Sequence, residues 1–557
     1  MNNKFISKII RNVIITVIIL IAAFIYYYVT LPAVNIHSVG FWFFLIIAMV
    51  FLGAVFTFRK SKKALGNNGT PFGNSAGMSF ELTSDSRKVL KFWGVMIGIV
   101  LLVFLVGYIL SSPIVNAKKY QKLMTVEKRN FTEDIKEADF TSIPLLDKAS
   151  AEIIGERKIG SMVDMVSQFE VGSDYTQINY NDKPVRVTPL IYASPIKWLT
   201  NQKNGIPAYL MIDMVTQDTT CVKLDEGIKY SKSEYFNRNI YRYLRFHYPT
   251  YIFDDQIAFE IDDNGVPYWI CPVKKFNIGL FGGETISKVV ICNAQTGELT
   301  QYAIEDVPQW IDKVYSAELL TQLYNYSGTL VNGYFNSILG QKGCLQATEG
   351  YNYLAIDDDV WVYTGVTSVS SDQSNVGFVL MNQRTMETRY YEIEGAMETS
   401  AMSSAEGQVQ HLGYISTFPL LVNINGEPTY IMALKDEAGL VKMYAMVNVQ
   451  KYQLVATGST VKDCEKSYLS LLDNNGIVGE NSDLYVNVTG VIDNISPIVV
   501  EGTTHYYIIL ENNDAIFDVD FSDEDLLGFI RYKIGDTISF TYLDNADIKP
   551  VRSLKTQ

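Results

Sequence analysis

Three long apolar runs without a charged residue lie near the N-terminus, and they constrain the fold more than any other feature. They cover 13–31 (VIITVIILIAAFIYYYVTL), 41–58 (FWFFLIIAMVFLGAVFTF) and 92–110 (FWGVMIGIVLLVFLVGYIL). Each is about the length that an α-helix needs to cross roughly 30 Å of hydrocarbon. A helix satisfies its own backbone hydrogen bonds, which lipid cannot do. The sequence therefore predicts a transmembrane region over 1–111 with three helices and a loop at 59–91.

The first run also fits a second interpretation, a cleaved signal peptide. Against this, the run is long, no small-x-small cleavage site follows it, and another apolar run comes soon after. We therefore interpret it as a membrane-spanning helix.

The distribution of basic residues predicts the orientation of these helices. Three Lys or Arg residues precede the first run, none lies in 31–40, and seven lie in 59–91. Loops rich in Lys and Arg stay on the cytoplasmic side. We therefore expect a multi-pass protein of the cytoplasmic (plasma) membrane, with its N-terminus inside and a large C-terminal domain outside.

Charge separates the chain into two unlike parts. Of its 557 residues, those up to Ser111 include ten basic and two acidic ones, whereas 112–557 carries 36 basic and 58 acidic residues. The formal net charge of −14 thus combines a basic membrane region with a C-terminal part of −22. Nucleic-acid binding needs clustered Lys and Arg. The composition excludes nucleic acid as a partner and leaves the lipid bilayer and a protein or cell-wall partner.

Beyond the membrane region, 112–175 is predicted to form a helical stalk, and 176–475 contains a repeated phrase. Asn-Gly-x-Pro followed by a β run begins at Asn204, Asn264 and Asn425, with a looser version at Asn181. Asn-Gly supplies the positive φ angles of tight hairpin turns, and Pro suits the first residue of a strand. These phrases predict hairpins.

A second phrase follows, an apolar run that ends in Asn and a short polar turn. It starts at Lys288, Gly377 and Tyr444, and helical stretches are predicted at 231–246, 307–324, 398–413 and 459–472. Antiparallel sheets bury one face under such helices. The fold class is therefore α+β, with tandem hairpin-and-helix modules after the membrane anchor.

The segment Cys292-Asn293-Ala294-Gln295-Thr296-Gly297-Glu298 ends a strand in a polar Thr-Gly-Glu turn. This segment resembles the corresponding hairpin of PepSY-type envelope modules. The resemblance implies modules that pair a helix with a small antiparallel sheet. It assigns no functional residue.

The C-terminal segment, 482–557, has a different pattern. Strand-like runs begin near Leu484, Thr504 and Ala515, a helical stretch follows, and Gly535-Asp536 precedes a last run. This order resembles a small OB-like barrel. Because the segment is rich in acids, a protein contact or a structural role is favoured over oligonucleotide binding.

No pattern in the sequence assembles a catalytic, cofactor or metal site. The four histidines lack the spacing of a zinc site, Gly73-x-Ser75-x-Gly77 lies in a loop, and Ser194-x-x-Lys197 has no accompanying Lys-Thr-Gly. Two acidic clusters, 262–263 and 357–359, favour hairpin turns over calcium ligation. The segment Glu260-x-Asp262-x-Asn264-Gly265 matches only the first half of a calcium loop, because its twelfth position is Cys271 and not Glu. The sequence therefore predicts no catalytic, cofactor-binding or metal-binding residue.

Five cysteines leave the redox state open. Cys271 and Cys292 lie in runs that are neighbours in one module, so they are either bridged or present as buried thiols. The odd number leaves at least one thiol free.

Together these features favour a non-catalytic, membrane-anchored envelope protein whose modular domain is a binding or scaffold element. Two alternatives stay open. One is an extracytoplasmic hydrolase with an unrecognised site. The other is a subunit of a membrane complex, for which Gly53, Gly94, Gly98 and Gly107 permit close helix contact.

Overall fold

A computed structural model describes residues 3–60, 62–64, 79–81, 84–136, 138, 143–368, 374–477, 485–500, 503–521, 524–544 and 548–555. The expected combination of three apolar N-terminal helices with several sheets is confirmed. The chain forms two compact units. The first comprises Met1–Lys128, Ala151–Asp372 and Val379–Tyr390, and the second comprises Arg129–Ser150, Gln373–Phe378 and Tyr391–Gln557. The motif at 73–77 lies outside the described residues.

Three helices are long and apolar enough to span a membrane, over Val13–Thr30, Val39–Thr57 and Ser84–Ser111. The second and third pack closely because Gly53 has no side chain where the Trp93 ring lies. The helices are α1 (Asn3–Thr30), α2 (Val39–Lys60), α3 (Ser84–Ser111), α4 (Pro113–Gln121), α5 (Phe131–Asp134), α6 (Lys148–Gly160), α7 (Pro195–Asn201), α8 (Ile240–His247), α9 (Ala317–Thr329), α10 (Glu398–Gln408) and α11 (Val461–Asn474).

Strands make up most of the remainder. They are β1 (Lys62–Ala64), β2 (Ser79–Glu81), β3 (Glu127–Arg129), β4 (Phe169–Val171), β5 (Thr176–Tyr180), β6 (Lys183–Tyr192), β7 (Ile206–Asp213), β8 (Thr219–Ile228), β9 (Ala258–Ile261), β10 (Pro267–Ile278), β11 (Gly282–Asn293), β12 (Leu299–Ala303), β13 (Leu345–Ala347), β14 (Asn352–Ile356), β15 (Asp359–Ser368), β16 (Ser374–Asn375), β17 (Gly377–Asn382), β18 (Thr388–Tyr391), β19 (Gly395–Ala396), β20 (Ile415–Ser416), β21 (Leu420–Ile424), β22 (Glu427–Lys435), β23 (Val441–Asn448), β24 (Val455–Gly458), β25 (Tyr485–Val500), β26 (Thr503–Leu510), β27 (Ile516–Asp520), β28 (Thr537–Leu543) and β29 (Ile548–Leu554).

Four sheets of similar design follow one another along the chain. Their strand orders are β4-β6-β7-β8 with β5 beside β6, β12-β11-β10-β9, β13-β15-β17-β18-β3 with β14 beside β15, and β20-β22-β23-β24 with β21 beside β22. Two short pairs, β1-β2 and β16-β19, stand apart from them. Strands β4 to β15 lie in the first unit and β20 to β29 in the second.

The Asn-rich phrases mark tight turns. Asn181 and Asp182 both have positive φ between β5 and β6, and Asn425 and Gly426 do so between β21 and β22. Gly265 has a φ of 77° between β9 and β10. The phrase at Asn204 instead links α7 to β7. The predicted hairpins are therefore present at three of the four phrases.

The second phrase ends in a turn that is repeated with the same hydrogen bonds. The Asn293 side-chain oxygen accepts from the backbone N–H groups two and three residues later, at 3.0 and 2.9 Å. Asn382 and Asn448 make the same pair of bonds. Asp213, at the end of β7, makes the same pair of bonds with an Asp in place of Asn. Such Asx turns replace backbone hydrogen bonds at the strand end.

Helix starts differ from the expected positions where a capping side chain sets them. The helix expected from 231 begins at Ile240, because the Asn239 side chain accepts from the backbone of Arg242. The helix expected from 307 begins at Ala317, where Ser316 is the cap. The stalk expected over 112–175 contains α4, α5 and α6 as separate helices, interrupted by β3 and followed by β4.

The first two sheets share an apolar core that includes Tyr209, Phe259 and Trp269. Cys271 and Cys292 belong to this core, and all five cysteines are free thiols. Trp269 lies opposite Cys292 on the paired strands, so the two thiols are diagonal neighbours. Burial raises the pKa of both thiols, to about 12 for Cys292. The bridged alternative is not what the structure shows.

The C-terminal strands close into a barrel in the order β25-β26-β27-β29-β28. Strands β27 and β29 pair in parallel, whereas the other neighbours are antiparallel. A 3₁₀ segment, Glu524–Arg531, connects β27 to β28. Its Leu526 and Phe529 pack into the barrel core with Phe517 and Phe540.

Candidate functional site

The membrane-spanning helices of the first unit are joined to its sheets by directional contacts. The Arg245 guanidinium donates from Nε to the carbonyl of Leu31, where the first span ends, at 2.9 Å. Val34 N–H donates to the carbonyl of Pro249 at 2.7 Å. These contacts hold the end of α1 against the segment that follows α8. We call them, with the hairpin contacts described next, the anchor interface.

The hairpin between β10 and β11 contacts the end of α3. Ser111 Oγ accepts from the backbone N–H groups of Leu280 and Phe281, at 2.8 and 3.1 Å, and donates to the carbonyl of Gly107 at 2.6 Å. A Cβ at Gly107 would lie 2.5 Å from the Leu280 side chain, and one at Gly282 would lie 2.2 Å from the Ser111 carbonyl oxygen. At Gly282 the neighbouring atom is backbone, so the hairpin fits against the helix there only because this residue is glycine, whereas at Gly107 the Leu280 side chain would have to move.

Aromatic rings complete the anchor interface. Phe281 packs against Trp42 and Phe104, with ring centroids 6.3 and 5.1 Å away. Phe246 of α8 lies 6.0 Å from the rings of both Tyr27 and Tyr28. Oriented hydrogen bonds and ring contacts at all three spans fix the sheets relative to the membrane-spanning helices.

A cavity of about 460 Å³ lies beside this interface. Its walls are the end of β6, the start of α7, the loop before α8 and the first turn of α8, with the lining residues Tyr192, Ala193, Ser194, Pro195, Lys232, Ser233, Glu234, Tyr235, Asn239 and Arg242. This set combines basic, acidic, hydroxyl and aromatic groups. Mixed linings of this kind suit a polar ligand that carries both donors and acceptors.

Glu234 organises the floor of the cavity. Its two carboxylate oxygens accept from the Tyr192 hydroxyl and from the Trp198 indole N–H, both at 2.7 Å. Burial raises the pKa of Glu234, although these hydrogen bonds act in the opposite direction. Burial also raises the pKa of Tyr192. These two hydrogen bonds hold the Tyr192 and Trp198 side chains against Glu234.

Arg242 links the cavity to the first span. Its guanidinium lies 4.2 Å from the centroid of the Tyr28 ring and donates to the carbonyl of Phe236 at 2.9 Å. Its Nε is buried with no hydrogen-bond partner among the described residues. The lining also includes Lys232, whose ammonium pairs with Asp174 at 2.7 Å. The cavity therefore shares Arg242 with the surface of α1.

Ser194 of the Ser-x-x-Lys motif lines this cavity, but its hydroxyl has another role. Ser194 Oγ accepts from the backbone N–H of Lys197 at 3.3 Å and so caps α7. Pro195 permits a helix to begin at this position, and α7 does begin there.

A pair of buried carboxyl groups forms a second polar cluster in the first unit. Glu260 accepts from the backbone N–H groups of Asp312 and Lys313, at 3.0 and 2.9 Å. Asp312 accepts from the backbone of Asn179 at 2.8 Å, while its Oδ1 has no partner among the described residues. Burial raises the pKa of both carboxyl groups, and the Glu260 charge raises that of Asp312 further.

This cluster joins three sheets, since Asn179 also donates to Asp358 at 2.8 Å. The sequence indicated Glu260 only as part of an incomplete calcium loop, and it missed Asp312, which follows no recognisable motif. Among the described residues, no group of three His, Cys, Asp or Glu side chains has the geometry to hold a metal ion. Asp357 and Asp358 have positive φ in the turn between β14 and β15.

The histidines lie apart from the cavity. His37 and His247 bond to the backbone carbonyls of Leu280 and Tyr243, each at 2.8 Å. His505 of the barrel bonds to Asp518 at 2.9 Å.

No family model matches the chain, and no curated protein matches it. Among solved structures, the chain is similar at 10% identity to a GH32 beta-fructofuranosidase from Bombyx mori, covering 73% of this chain and 70% of that one, with a TM-score of 0.17. A levansucrase mutant from B. megaterium gives 8% identity over 69% of this chain and 83% of that one, with a TM-score of 0.15. Scores this low carry no conclusion about fold or activity.

Proposed function

We propose that this chain is a non-catalytic, membrane-anchored envelope protein whose modular C-terminal part is a binding scaffold. In this proposal it resides in the cytoplasmic membrane with its N-terminus inside and the modules outside. The basic residues before the first span and in 59–91, and their absence from 31–40, support that orientation. The partner is a protein that reaches the cavity at the membrane surface.

The observation that carries this proposal is the position of Arg242. It lines the cavity and stacks on Tyr28 at the end of the first span. Because the anchor interface fixes the sheets on the spans, a partner that enters the cavity lies in or against the same membrane. Lys232, Glu234, Tyr235 and Arg242 offer both charges and a ring, which suits a polypeptide segment.

A second observation favours a partner with its own membrane span. Four glycines of the spans permit helix contacts. The space beside Gly53 and Gly107 is already filled by Trp93 and Leu280. For Gly94 and Gly98, no described atom lies within 4 Å of an added Cβ. Their Gly-x-x-x-Gly spacing permits close approach of another helix. This supports the alternative of a subunit in a membrane complex.

In the same proposal the modules are PepSY-like and the C-terminal barrel is OB-like. The recurrence of Asx turns and tight hairpins supports reuse of one PepSY-like module. The barrel order, with its parallel β27–β29 pair and a helical segment before β28, supports an OB-like barrel. Both would present surfaces to partners and neither adds a catalytic group.

A photoreactive amino acid at Ser233 tests the proposal in cells that express the full chain. We expect a protein adduct that survives digestion of the cell wall. The matched control places the same group at Lys183, an exposed position at the other end of β6. An adduct that is released only by wall digestion would show that the partner is the cell wall and not a protein. No adduct at Ser233, or equal adducts at both positions, would contradict the cavity as the binding site.

A further inference from the structure

We propose that the membrane-proximal face of the first unit binds anionic phospholipid directly, with basic side chains at the headgroups and exposed apolar side chains among the acyl chains. This face consists of 113–122, 194–203, 235–248 and 330–343. The proposal depends on membrane insertion of α1–α3 and not on the scaffold function.

Contacts place each segment next to the ends of the spans. Segment 113–122 follows α3 directly, and 235–248 contacts α1 through Arg242, Arg245 and Phe246. Segment 194–203 packs on the latter, because the Trp198 ring lies 4.7 Å from that of Tyr235. Leu330 and Tyr334 belong to the apolar cluster around Tyr120 of α4. All four segments therefore adjoin the same ends of the membrane helices.

Charge distinguishes this face from the chain around it. The four segments contain nine Lys or Arg residues and no Asp or Glu, whereas 112–557 as a whole has a formal charge of −22. Basic residues close to a membrane are attracted by anionic lipid, each contributing about 1 kcal/mol. Four acid-free segments with nine basic residues, within an acidic domain, are complementary to anionic lipid.

The same face exposes large apolar side chains in α7 and in the segment that follows α9. In 330–343 the exposed side chains are Phe335 (71%), Ile338 (54%) and Leu339 (81%), and in 194–203 they are Ile196 (72%) and Leu199 (62%). Contiguous exposed apolar groups mark interaction surfaces. Apolar residues interleaved with Lys and Arg are the pattern of segments that lie in a membrane interface.

Phe236 provides an independent sign of function. It has a φ of 50°, a left-handed conformation that is rare for a bulky residue, and its ring is 63% exposed. The ring packs on Trp198 at a centroid distance of 5.9 Å, yet most of the residue stays exposed. Beside Arg242 and the Tyr28 ring, it points to the interfacial layer of the membrane, where aromatic rings are favoured.

The experiment uses the full chain, purified and reconstituted into vesicles of phosphatidylcholine alone or mixed with phosphatidylglycerol. A phospholipid with a photoreactive group near its ester linkage labels the residues that it touches, and peptide mass spectrometry locates the adducts. We expect adducts on 194–203, 235–248 and 330–343 in addition to the spans, with a higher yield in the anionic vesicles.

Matched charge reversals separate lipid contact from general charge. Lys197→Glu with Lys203→Glu should lower labelling of 194–203 in anionic vesicles by about fivefold for each lysine. The control Lys183→Glu, at the far end of β6, should leave labelling unchanged. A thermal unfolding midpoint equal to that of the unaltered chain confirms that each variant folds.

Two results would overturn the proposal. One is labelling confined to the three spans in both kinds of vesicle. The other is labelling of the face that is the same with and without phosphatidylglycerol and that the paired lysine reversal does not change.

Discussion

The two ends of the first unit differ in both charge and polarity, although the same strands connect them. At one end, three turns between paired strands carry Asp182, Asp262, Asp263, Asp357 and Asp358, which we call the acidic turns. The other end is the membrane-proximal face, with nine basic residues and no acids. The average charge of the chain hides this contrast.

Individual strands run from one end to the other. Strand β10 begins after the turn at Gly265 and ends at Ile278, next to the hairpin on α3. Its 12 residues span about 40 Å at roughly 3.3 Å per residue. Strand β6 runs from Lys183 beside an acidic turn to Tyr192 in the cavity. The charge of the unit therefore changes from acidic to basic along its strands, so that one end suits water and the other suits lipid.

The acidic turns are close enough to affect one another. Burial raises the pKa of the Asp358 carboxyl, and the charges of Asp182, Asp359 and Asp263 raise it further. Such mutual repulsion is unfavourable, and it is tolerated where water screens the charges. Acidic residues therefore cluster at one end of the unit and basic residues at the other.

Breaking the anchor interface should produce the largest effect. In Gly282→Ala, the new Cβ would meet the Ser111 backbone and the Tyr120 hydroxyl, and backbone has little freedom to move away. We expect destabilisation of roughly 3 kcal/mol or more, measured as the thermal unfolding midpoint in detergent. Gly160→Ala is the control, because no described atom lies within 4 Å of its added Cβ. Equal midpoints for the two variants would contradict the close fit.

Near the acidic turns, Asp312→Asn should stabilise the chain at neutral pH. The raised folded-state pKa means that the charged carboxylate costs stability as pH rises above the ordinary value, whereas the protonated form does not. An amide is never charged. The gain should therefore be small near pH 4 and about 1–3 kcal/mol at pH 8.

Unfolding midpoints across that pH range measure this difference. Asp263→Asn, in an exposed turn, is the control and should change little. A gain for Asp312→Asn that is independent of pH, or a loss at pH 8, would show that the buried charge is not the cause.

At the membrane-proximal face, Phe236→Gly should separate stability from lipid contact. Glycine adopts positive φ without strain, so we expect a stability gain of about 1 kcal/mol, reduced by loss of the contact with Trp198. Lipid labelling of 235–248 should fall at the same time. Lower stability together with unchanged labelling would contradict a role for the strained Phe236 in lipid contact.

The smallest effect is expected for Arg242→Lys. Lysine keeps the charge but loses the planar stacking on Tyr28 and the hydrogen bond to Phe236. We expect a loss of about 0.5–1 kcal/mol, seen as a lower unfolding midpoint. Lys232→Arg, at another lining residue of the cavity, is the control and should leave the midpoint unchanged.

Local patterns predicted much of the fold. The uncharged runs located the spans, and Asn181 and Asn425 located hairpins, because their positive φ angles depend on a few adjacent residues. Asp213 was missed because the phrase was defined by Asn, although its partners Val215 and Thr216 are adjacent. Asp312 was missed because its partners, Asn179 and Glu260, lie far along the chain. The cavity combines residues from 192 to 242, and only the packing of α7 and α8 brings them together.

The membrane-proximal face did leave a signal in the sequence. Segments such as SPIKWLTNQK and LVNGYFNSILGQKG lack acids within an acidic domain and carry apolar residues. That signal gains meaning only when the four segments are known to lie together at the ends of the spans. A window of sequence contains one segment at a time, so periodicity does not reveal the surface.

The most direct test compares the depth of the two ends in the same vesicles. A fluorophore is attached to Leu339→Cys or to Lys183→Cys in a Cys221→Ser background, since the other four thiols are buried. Lipids that carry a nitroxide should quench the probe at 339 strongly and the probe at 183 little. Equal quenching at both positions, or stronger quenching at 183, would contradict an apolar, basic end that lies on the membrane.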